Sequence, residues 1–295
     1  MGKACRDKRD IYYRKAKEEG WRARSAFKLL QIVEEFNIFQ GEVKRVVDLC
    51  AAPGSWTQVL SRQLYLPAKS SAESKEGDVP LIVAIDLQPM SPIEGVILVQ
   101  GDITNALTAH LVIRHFDGSK ADLVVCDGAP DVTGLHDMDE FVQSQLILAG
   151  LTIVTHVLKE GGKFIAKIFR GKDTSLLYSQ VKFYIFLLLS ESSSTAFAVC
   201  ENYSPPEGFH PRDLYRLLEK VGSPSGGSHR DILGTLLADC SSGWLERPNK
   251  VYIPFLACGV LTGYDSDRSY PLPKESDGSS YQSLDPVQPP IAPPY

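Results

Sequence analysis

Residues 47–56, VDLCAAPGSW, constrain the fold more than any other stretch of this chain. An apolar run ending at Cys50 breaks into small residues, and an amphipathic run begins at Trp56. The pattern predicts a buried strand, a tight turn and the start of a helix. Small residues let a backbone approach a ligand closely, and open α/β sheets bind ligands at the carboxyl ends of their strands. An ordinary strand–loop–helix connection is the alternative, and the stretch lacks the glycine spacing of a dinucleotide site or a P-loop.

Short apolar runs recur along the chain and alternate with helical patterns. Strands are predicted at 45–49, 81–86, 96–100, 121–126, 163–169, 195–200 and 251–257. Helical spacing is found at 7–35 and at 139–158, where Gly161 and Gly162 are expected to stop the helix, and 65–79 is predicted to be a surface loop. Continuous apolar strands between helices predict an α/β fold with a mostly parallel, seven-stranded sheet and helices on both faces.

The distribution of charge matters more than the net charge of −5. Residues 1–28 hold ten Lys/Arg and four acidic residues, a net charge of +6, so the remaining chain carries −11. A basic segment on an acidic body predicts a local surface that binds nucleic-acid phosphates, to which Arg22 and Arg24 would contribute. A solvated basic arm is the alternative.

The cysteine and histidine patterns predict neither a disulfide framework nor a metal site. The six cysteines form no C-x-x-C pair and the six histidines are scattered, a pattern typical of small core residues in a reducing compartment. We expect no secretory signal and no membrane span, because the N-terminus is charged and the longest apolar run, Phe183–Leu189, is too short to cross a bilayer.

Acidic residues lie at or just after the ends of the first four predicted strands: Asp48, Asp86, Asp102 and Asp127. An acid after the second strand can accept hydrogen bonds from a ribose diol, and one after the third can bind an adenine amino group. The small-residue turn can hold an amino-acid group. These features match S-adenosylmethionine as the cofactor. We predict that its pocket is lined by Gly54, Trp56, Asp86, Asp102 and Asp127; solvated turn residues, and a core aromatic for Trp56, are the alternatives.

Four separated motifs occur in the order seen in the FtsJ-type RNA ribose 2′-O-methyltransferases, which this chain resembles. They are GWRARSAFKL (20–29), DLCAAPGSW (48–56), VCDGAPDVTG (125–134) and GGKFIAKIFRG (161–171). The resemblance spans residues 8–200 and implies a Rossmann-like, S-adenosylmethionine-dependent methyltransferase fold. IPFLACG (253–259) and YDSDRSYPL (264–272) resemble the eukaryotic cytoplasmic members that act on the tRNA anticodon loop at nucleotides 32 and 34.

The resemblance implies a catalytic Lys–Asp–Lys–Glu set, of which Lys28, Asp127 and Lys167 match the first three members. A ribose 2′-OH must lose its proton during attack on a methyl carbon, and Lys167 can accept it as a neutral amine. Burial and a neighbouring Lys28 ammonium favour that neutral form, whereas Asp127 orients Lys167 and opposes it. The alternative for Lys28 is a snorkelling residue of a basic helix. A lysine inside the apolar strand FIAKIF needs a partner or a function.

The chain departs from the family pattern over residues 181–195. The family has a basic, Ser-containing loop there, and a glutamate directly before the AFAVC strand. In this chain the segment contains the apolar block Phe183–Leu189, and Thr195 stands where the glutamate is expected. Glu191 is a weak substitute, so a non-catalytic or reduced-activity RNA-binding variant is an alternative reading.

We predict an S-adenosylmethionine-dependent tRNA ribose 2′-O-methyltransferase that acts in the cytoplasm without a metal. A ribosomal-RNA 2′-O-methyltransferase shares every catalytic motif and is an alternative, as is a methyltransferase of proteins or small molecules. The resemblance also implies a helical-repeat and a WD-repeat partner protein. The predicted domain organisation is a basic RNA-binding segment (1–40), the methyltransferase core (41–204), an irregular region with a late strand (205–260) and a Pro/Ser/Asp-rich tail (261–295).

Overall fold

The computed structural model describes residues 11–71, 79–129, 136–169, 186–191 and 195–205. They form two compact units, one containing the described residues up to Asp102 and the other those from Ile103 onward. The strand predicted at 251–257 and the tail at 261–295 lie outside the described residues, as does the region at 205–260 apart from residue 205.

The first unit contains three parallel strands in the order β3-β2-β1. Its elements are α1 (Ile11–Glu18), α2 (Ala26–Phe36), β1 (Arg45–Leu49), α3 (Ser55–Leu60), a π-helical turn (Ser61–Tyr65), α4 (Leu66–Ser70), β2 (Leu81–Asp86) and β3 (Val96–Gln100). Val47 of β1 is in register with Val83 of β2, and both are fully buried. The continuous apolar runs thus form strands with the predicted bounds. Most residues of β1 and β2 are buried, as expected for strands covered on both faces, whereas β3 is only half-buried.

The helical spacing found at 7–35 corresponds to two helices, α1 and α2, in the described residues. Helix α1 ends at Glu18, and Gly20 follows with a φ of +74°. The Trp21 amide then donates to the Ala16 carbonyl at 2.7 Å. A glycine in the left-handed region is a common helix terminator, since it carries no Cβ to clash. Residues 7–10 lie outside the described residues.

The loop expected at 65–79 is helical in its first part. Helix α3, the π-helical turn and α4 follow one another without interruption from Ser55 to Ser70. Pro67 lies in the first turn of α4, directly after the π-helical turn. The polar composition of the segment concealed this helical extension, and residues 72–78 lie outside the described part.

The second unit contains four strands in the order β4-β5-β7-β6. Its elements are α5 (Ala106–His115), β4 (Ala121–Cys126), α6 (His136–Val157), β5 (Leu158–Phe169), β6 (Phe186–Glu191) and β7 (Thr195–Glu201). Strands β4 and β5 are parallel, whereas β7 runs antiparallel to both β5 and β6. Sequence analysis missed α5, which begins where the Asn105 side chain accepts a hydrogen bond from the Leu107 amide at 2.9 Å.

Two boundaries in this unit differ from the prediction. Helix α6 ends at Val157, before the glycine pair, and β5 begins at once at Leu158. The β4–β5 register shifts between Ala121 and Leu123, and Gly161 has a φ of +75°. The glycines therefore accommodate a bulge in the strand. The segment 186–191, expected to be an apolar block in place of a loop, forms β6 against β7.

The first unit contributes the parallel pairs β1–β2 and β2–β3, and the second contributes the parallel pair β4–β5 and the antiparallel strands β7 and β6. These pairings agree with the mostly parallel, Rossmann-like fold that the sequence predicts. Among the described helices, none combines the length and the apolar character needed to span a membrane.

Candidate active site

The turn between β1 and α3, residues 50–54, is held by its own backbone and by the end of β2. We call it the small-residue turn. The Gly54 amide donates to the Ala51 carbonyl at 2.6 Å, and the Ala51 amide donates to the Ile85 carbonyl at 3.0 Å. Gly54 has a φ of +101°, a conformation that L side chains rarely adopt. The compact turn that the sequence predicted is therefore present, and its shape requires this glycine.

Asp86, predicted to bind a ribose diol, fastens the small-residue turn to the end of β2. Its Oδ2 accepts the Ala52 amide at 2.9 Å and its Oδ1 accepts the Gln88 amide at 2.8 Å. An ionised carboxylate has about four acceptor positions, so these bonds leave capacity for a ligand hydroxyl. Ribose binding by Asp86 stays a prediction, and the structure adds a role in shaping the turn.

Asp48 lies within β1 and is fully buried. Its Oδ2 accepts a hydrogen bond from the Thr57 hydroxyl at 2.5 Å. This carboxylate therefore ties β1 to α3 instead of extending from the strand end towards solvent. Asp102, predicted to bind the adenine, follows β3 and is exposed, and Gly101 before it donates to the Asp86 carbonyl at 2.9 Å.

Trp56 connects α3 to the segment that precedes α2. Its side chain is 1% exposed, and its indole Nε1 donates to the Ser25 carbonyl at 2.9 Å. The Ser25 and Ser55 hydroxyls form a hydrogen bond of 2.6 Å in which either can be the donor. Trp56 thus packs as a core aromatic at a helix start, and its contact with a cofactor stays a prediction. Direct hydrogen bonds therefore link the GWRARSAFKL motif to the AAPGSW motif.

Lys28, the predicted first lysine of the catalytic set, lies in α2 and is 4% exposed. Lysine is almost never so buried unless its ammonium has a partner. The reading of Lys28 as a snorkelling residue on a solvated helix face does not fit this burial. Arg22, predicted to contact RNA phosphates, donates to three backbone carbonyls, and its contact with RNA stays a prediction.

The second unit brings together Asp127 and Lys167, two of the residues that sequence analysis singled out. Lys167 Nζ lies 3.3 Å from Asp127 Oδ1, and each side chain is 16% exposed. The contact qualifies as an ion pair by distance but not as an aligned hydrogen bond, because Oδ1 has no hydrogen-bond partner among the described residues. A short rotation of the ammonium would align the two groups for a hydrogen bond. Asp127 directly follows the last residue of β4, and Lys167 lies in the neighbouring strand β5. The pairing of the two strands therefore fixes the position of the ion pair.

Gln143 of α6 is a site residue that sequence analysis missed. It is 2% exposed, and its Nε2 donates to the carbonyls of Gly128 and Lys167, both at 3.0 Å. One buried amide thus joins the backbone next to Asp127 to the backbone of Lys167. A glutamine inside an apolar helical pattern was the available signal, because a buried polar side chain needs partners.

Strand register locates the position where the family has its glutamate. Thr195 of β7 pairs with Phe169 of β5, and Lys167 pairs with Phe197. Positions 195 and 167 are therefore diagonal neighbours on the same face of the sheet, because side chains alternate between the two faces along each strand. Glu191 of β6 pairs with Ala196, which pairs in turn with Ile168, so position 191 belongs to the opposite face. The register excludes Glu191 as a substitute on the face of Lys167.

Among the described residues, no cluster of His, Cys, Asp and Glu side chains has the arrangement of a metal site. Cys126 and Cys200 are buried, and burial raises the pKa of the Cys200 thiol well above its usual value. A buried thiol of this kind is unreactive, so Cys200 serves as a core residue.

Comparisons with known proteins agree with this geometry. The model of the FtsJ-like methyltransferase family matches residues 21–201. A mouse tRNA (cytidine(32)/guanosine(34)-2′-O)-methyltransferase is 54% identical over all of this chain and 85% of its own length. An AdoMet-dependent rRNA methyltransferase of Yarrowia lipolytica is 36% identical over 76% of this chain but only 26% of its own.

One solved structure shows the same fold. It is described as a ribosomal RNA methyltransferase from Plasmodium falciparum and matches with a TM-score of 0.55 at 23% identity, covering 62% of this chain and 98% of that one. The family match covers more than half of the sequence and includes both the small-residue turn and the Asp127–Lys167 pair. This chain belongs to the FtsJ-like methyltransferase family.

Proposed function

We propose that this protein transfers a methyl group from S-adenosylmethionine to the ribose 2′-hydroxyl of tRNA nucleotides 32 and 34 in the anticodon loop. The observation that carries the proposal is the Lys167–Asp127 ion pair at 3.3 Å, held by Gln143 in a chain of the FtsJ-like family. The full-length similarity to an enzyme named for these two nucleotides supports the choice of tRNA.

The residues of the first unit fit an S-adenosylmethionine site. The small-residue turn carries little side-chain bulk, and the carboxylates of Asp86 and Asp102 lie at or just after the ends of two adjacent parallel strands. Carboxylates accept hydrogen bonds from hydroxyl and amino groups, which the nucleoside part of this cofactor carries. When bound, S-adenosylmethionine supplies an electrophilic methyl group on a sulfonium that leaves as a neutral thioether.

The residues of the second unit supply the proton chemistry. Lys167, with its Nζ as a neutral amine, would accept the proton that the ribose 2′-hydroxyl loses as its oxygen attacks, and would then release that proton to solvent. Asp127 orients that amine. Because Asp127 directly follows β4 and Lys167 lies in β5, the two neighbouring strands fix the geometry of the pair. Alignment of the attacking oxygen with the methyl carbon accounts for the rest of the acceleration, so the step needs no Lewis acid.

Methyl transfer is tested by mass spectrometry of nucleosides and ribonuclease fragments from unmodified tRNA incubated with the full chain and methyl-labelled S-adenosylmethionine. Labelled 2′-O-methylcytidine and 2′-O-methylguanosine at positions 32 and 34 are the expected products. A parallel reaction with ribosomal RNA tests the alternative substrate, and label in that RNA alone would overturn the choice of tRNA.

A catalytic variant separates the enzyme from an RNA-binding protein. Lys167→Ala should reduce transfer by about 10²–10⁴-fold, the range for a lost proton acceptor, while the affinity for S-adenosylhomocysteine changes little. Cofactor binding without transfer by the unaltered chain, even with partner proteins added, would favour the non-catalytic reading that Thr195 raises.

We also propose that the protein acts in the cytoplasm with separate helical-repeat and WD-repeat partner proteins, as the resemblance of its motifs implies. Affinity purification of the tagged chain at its native expression level, followed by mass spectrometry, tests this. Recovery of neither class of repeat protein would contradict the proposal.

A further inference from the structure

The guanidinium of Arg22 is already hydrogen-bonded within the protein. Its Nη1 donates to the Pro53 carbonyl at 3.0 Å, and its Nη2 donates to the Ser91 and Pro92 carbonyls, both at 2.9 Å. Two of its three guanidinium nitrogens are thus occupied by carbonyl oxygens. The third, Nε, is buried and has no hydrogen-bond partner among the described residues.

These bonds join two segments that are far apart in sequence. Pro53 belongs to the small-residue turn, and Ser91 and Pro92 lie in the loop between Asp86 and β3. A planar guanidinium can serve both at once, because its donors form a rigid fork. Arg22 therefore fixes the distance between the turn and the loop that follows Asp86.

The backbone of Arg22 is itself anchored beside the turn. Its amide donates to Gln58 Oε1 at 2.7 Å, and Gln58 Nε2 donates to the Gly20 carbonyl at 3.1 Å. Gln58 of α3 is buried. The arginine is thus positioned by α3 before its side chain bridges the two segments.

The packing around the guanidinium leaves no space for a side chain at Gly54. A Cβ there would lie 2.6 Å from Arg22 Nη1 and 2.9 Å from Ile93 Cδ1. Burial lowers the pKa of Arg22, yet arginine remains charged at any physiological pH, so its bonds to carbonyls are charge-assisted. Such bonds are roughly twice as strong as neutral ones.

We propose that Arg22 is a positioning residue for the cofactor site, holding the small-residue turn against the loop at residues 91–92, and is not a phosphate contact. The inference rests on the proposed function, because it takes the small-residue turn to be the S-adenosylmethionine site. It reassigns part of the basic motif from RNA binding to cofactor binding.

The affinity for S-adenosylhomocysteine in the absence of RNA tests this directly by isothermal titration calorimetry on the full chain. Arg22→Gln should raise the dissociation constant about tenfold, equivalent to roughly 1.4 kcal/mol. Arg22→Lys should have an intermediate effect, because an ammonium cannot reproduce the fork. Arg24→Gln is the matched control and should leave this constant within about twofold.

A second measurement guards against general unfolding of the variant. Hydrogen exchange of Arg22→Lys should accelerate at residues 51–58 and 89–96 and stay unchanged in β1 and β2. A residue needed only for stability would instead change exchange across the whole unit. Uniform acceleration, or none in these two segments, would overturn the proposal.

The results also separate this inference from the proposed function. If the unaltered chain fails to bind S-adenosylhomocysteine, both are wrong. If it binds normally, and Arg22→Gln binds equally well but loses tRNA affinity in a filter-binding assay, Arg22 is a phosphate contact and only this inference falls.

Discussion

At the scale of single residues, charged side chains around the small-residue turn mainly bind the protein's own backbone. Asp86 accepts two amides, and Arg22 donates to three carbonyls. A tight turn leaves backbone groups without regular partners, and leaving such groups unsatisfied when buried costs free energy. Residue type alone could not distinguish hydrogen bonding to the backbone from ligand binding, because the same carboxylate or guanidinium can do either.

Thr195→Glu tests whether the departure from the family pattern limits catalysis. Position 195 is a diagonal neighbour of Lys167 on one sheet face, and a glutamate there is long enough to reach across a diagonal pair. We expect kcat for tRNA methylation to rise by about tenfold or more, since a second carboxylate would help fix the lysine that takes the proton. Initial rates at saturating tRNA and cofactor measure this.

Glu191→Gln is the matched control for that variant. Position 191 lies on the opposite face of the β5–β7–β6 ladder, so its charge should not affect kcat. An unchanged rate in Thr195→Glu, or a large loss in Glu191→Gln, would mean that the register does not describe the functional arrangement.

At the scale of elements, the π-helical turn is accommodated by a glycine in the loop before β3. A Cβ on Gly95, whose φ is +75°, would lie 2.2 Å from the ring of Tyr65. Gly95→Ala should therefore destabilise the protein by more than the roughly 1–2 kcal/mol of left-handed strain. Gly41→Ala is the control that measures the backbone strain without a clash, because Gly41 has a φ of +93° and open space around it.

Urea denaturation gives the free energy of unfolding of Gly95→Ala and of Gly41→Ala. The difference between the two variants measures the cost of the contact with the Tyr65 ring. Adding Tyr65→Ala to Gly95→Ala should recover part of that difference. Equal destabilisation by Gly41→Ala and Gly95→Ala would show that the Tyr65 ring moves aside at little cost.

Helix α6 positions the catalytic pair through one side chain. Gln143→Glu replaces the donating amide with an acceptor facing the carbonyls of Gly128 and Lys167. We expect kcat to fall about tenfold or more, because small displacements of reacting groups are costly, with an unchanged dissociation constant for S-adenosylhomocysteine. Gln145→Glu, two residues along the same helix, controls for added charge. A parallel loss of cofactor affinity would indicate general damage.

Elements with strong local signals were predictable, and those set by long-range contacts were not. The bounds of β1 to β4 follow from uninterrupted apolar runs between turn residues. The division of the first helix at Gly20, the bulge at Gly161 and strand β6 depend on backbone conformation and on pairing with distant strands. The Asp127–Lys167 pair was predictable through motif resemblance, whereas Gln143 acts through two backbone carbonyls that sequence does not bring together.

At the scale of the whole molecule, charge is divided between a basic N-terminal segment and an acidic remainder. Not all of the basic residues face outward, since Arg22 binds carbonyls and Lys28 is buried. The positive charge available to RNA is therefore smaller than the count in residues 1–28 suggests. The half-buried lysines in the last turn of α1, Lys15 and Lys17, are better candidates.

The salt dependence of tRNA binding measures how many of these charges meet phosphates. Each contact contributes about 0.7 to the slope of log affinity against log salt for single-stranded nucleic acid, so Lys15→Gln/Lys17→Gln should flatten that slope by about 1.4. The affinity for S-adenosylhomocysteine should not change, because neither lysine adjoins the small-residue turn. Lys120→Gln, at an exposed lysine in the second unit, controls for the loss of a single positive charge outside α1. An unchanged slope in the double variant would exclude α1 from the RNA contact and assign tRNA binding to other basic residues of the chain.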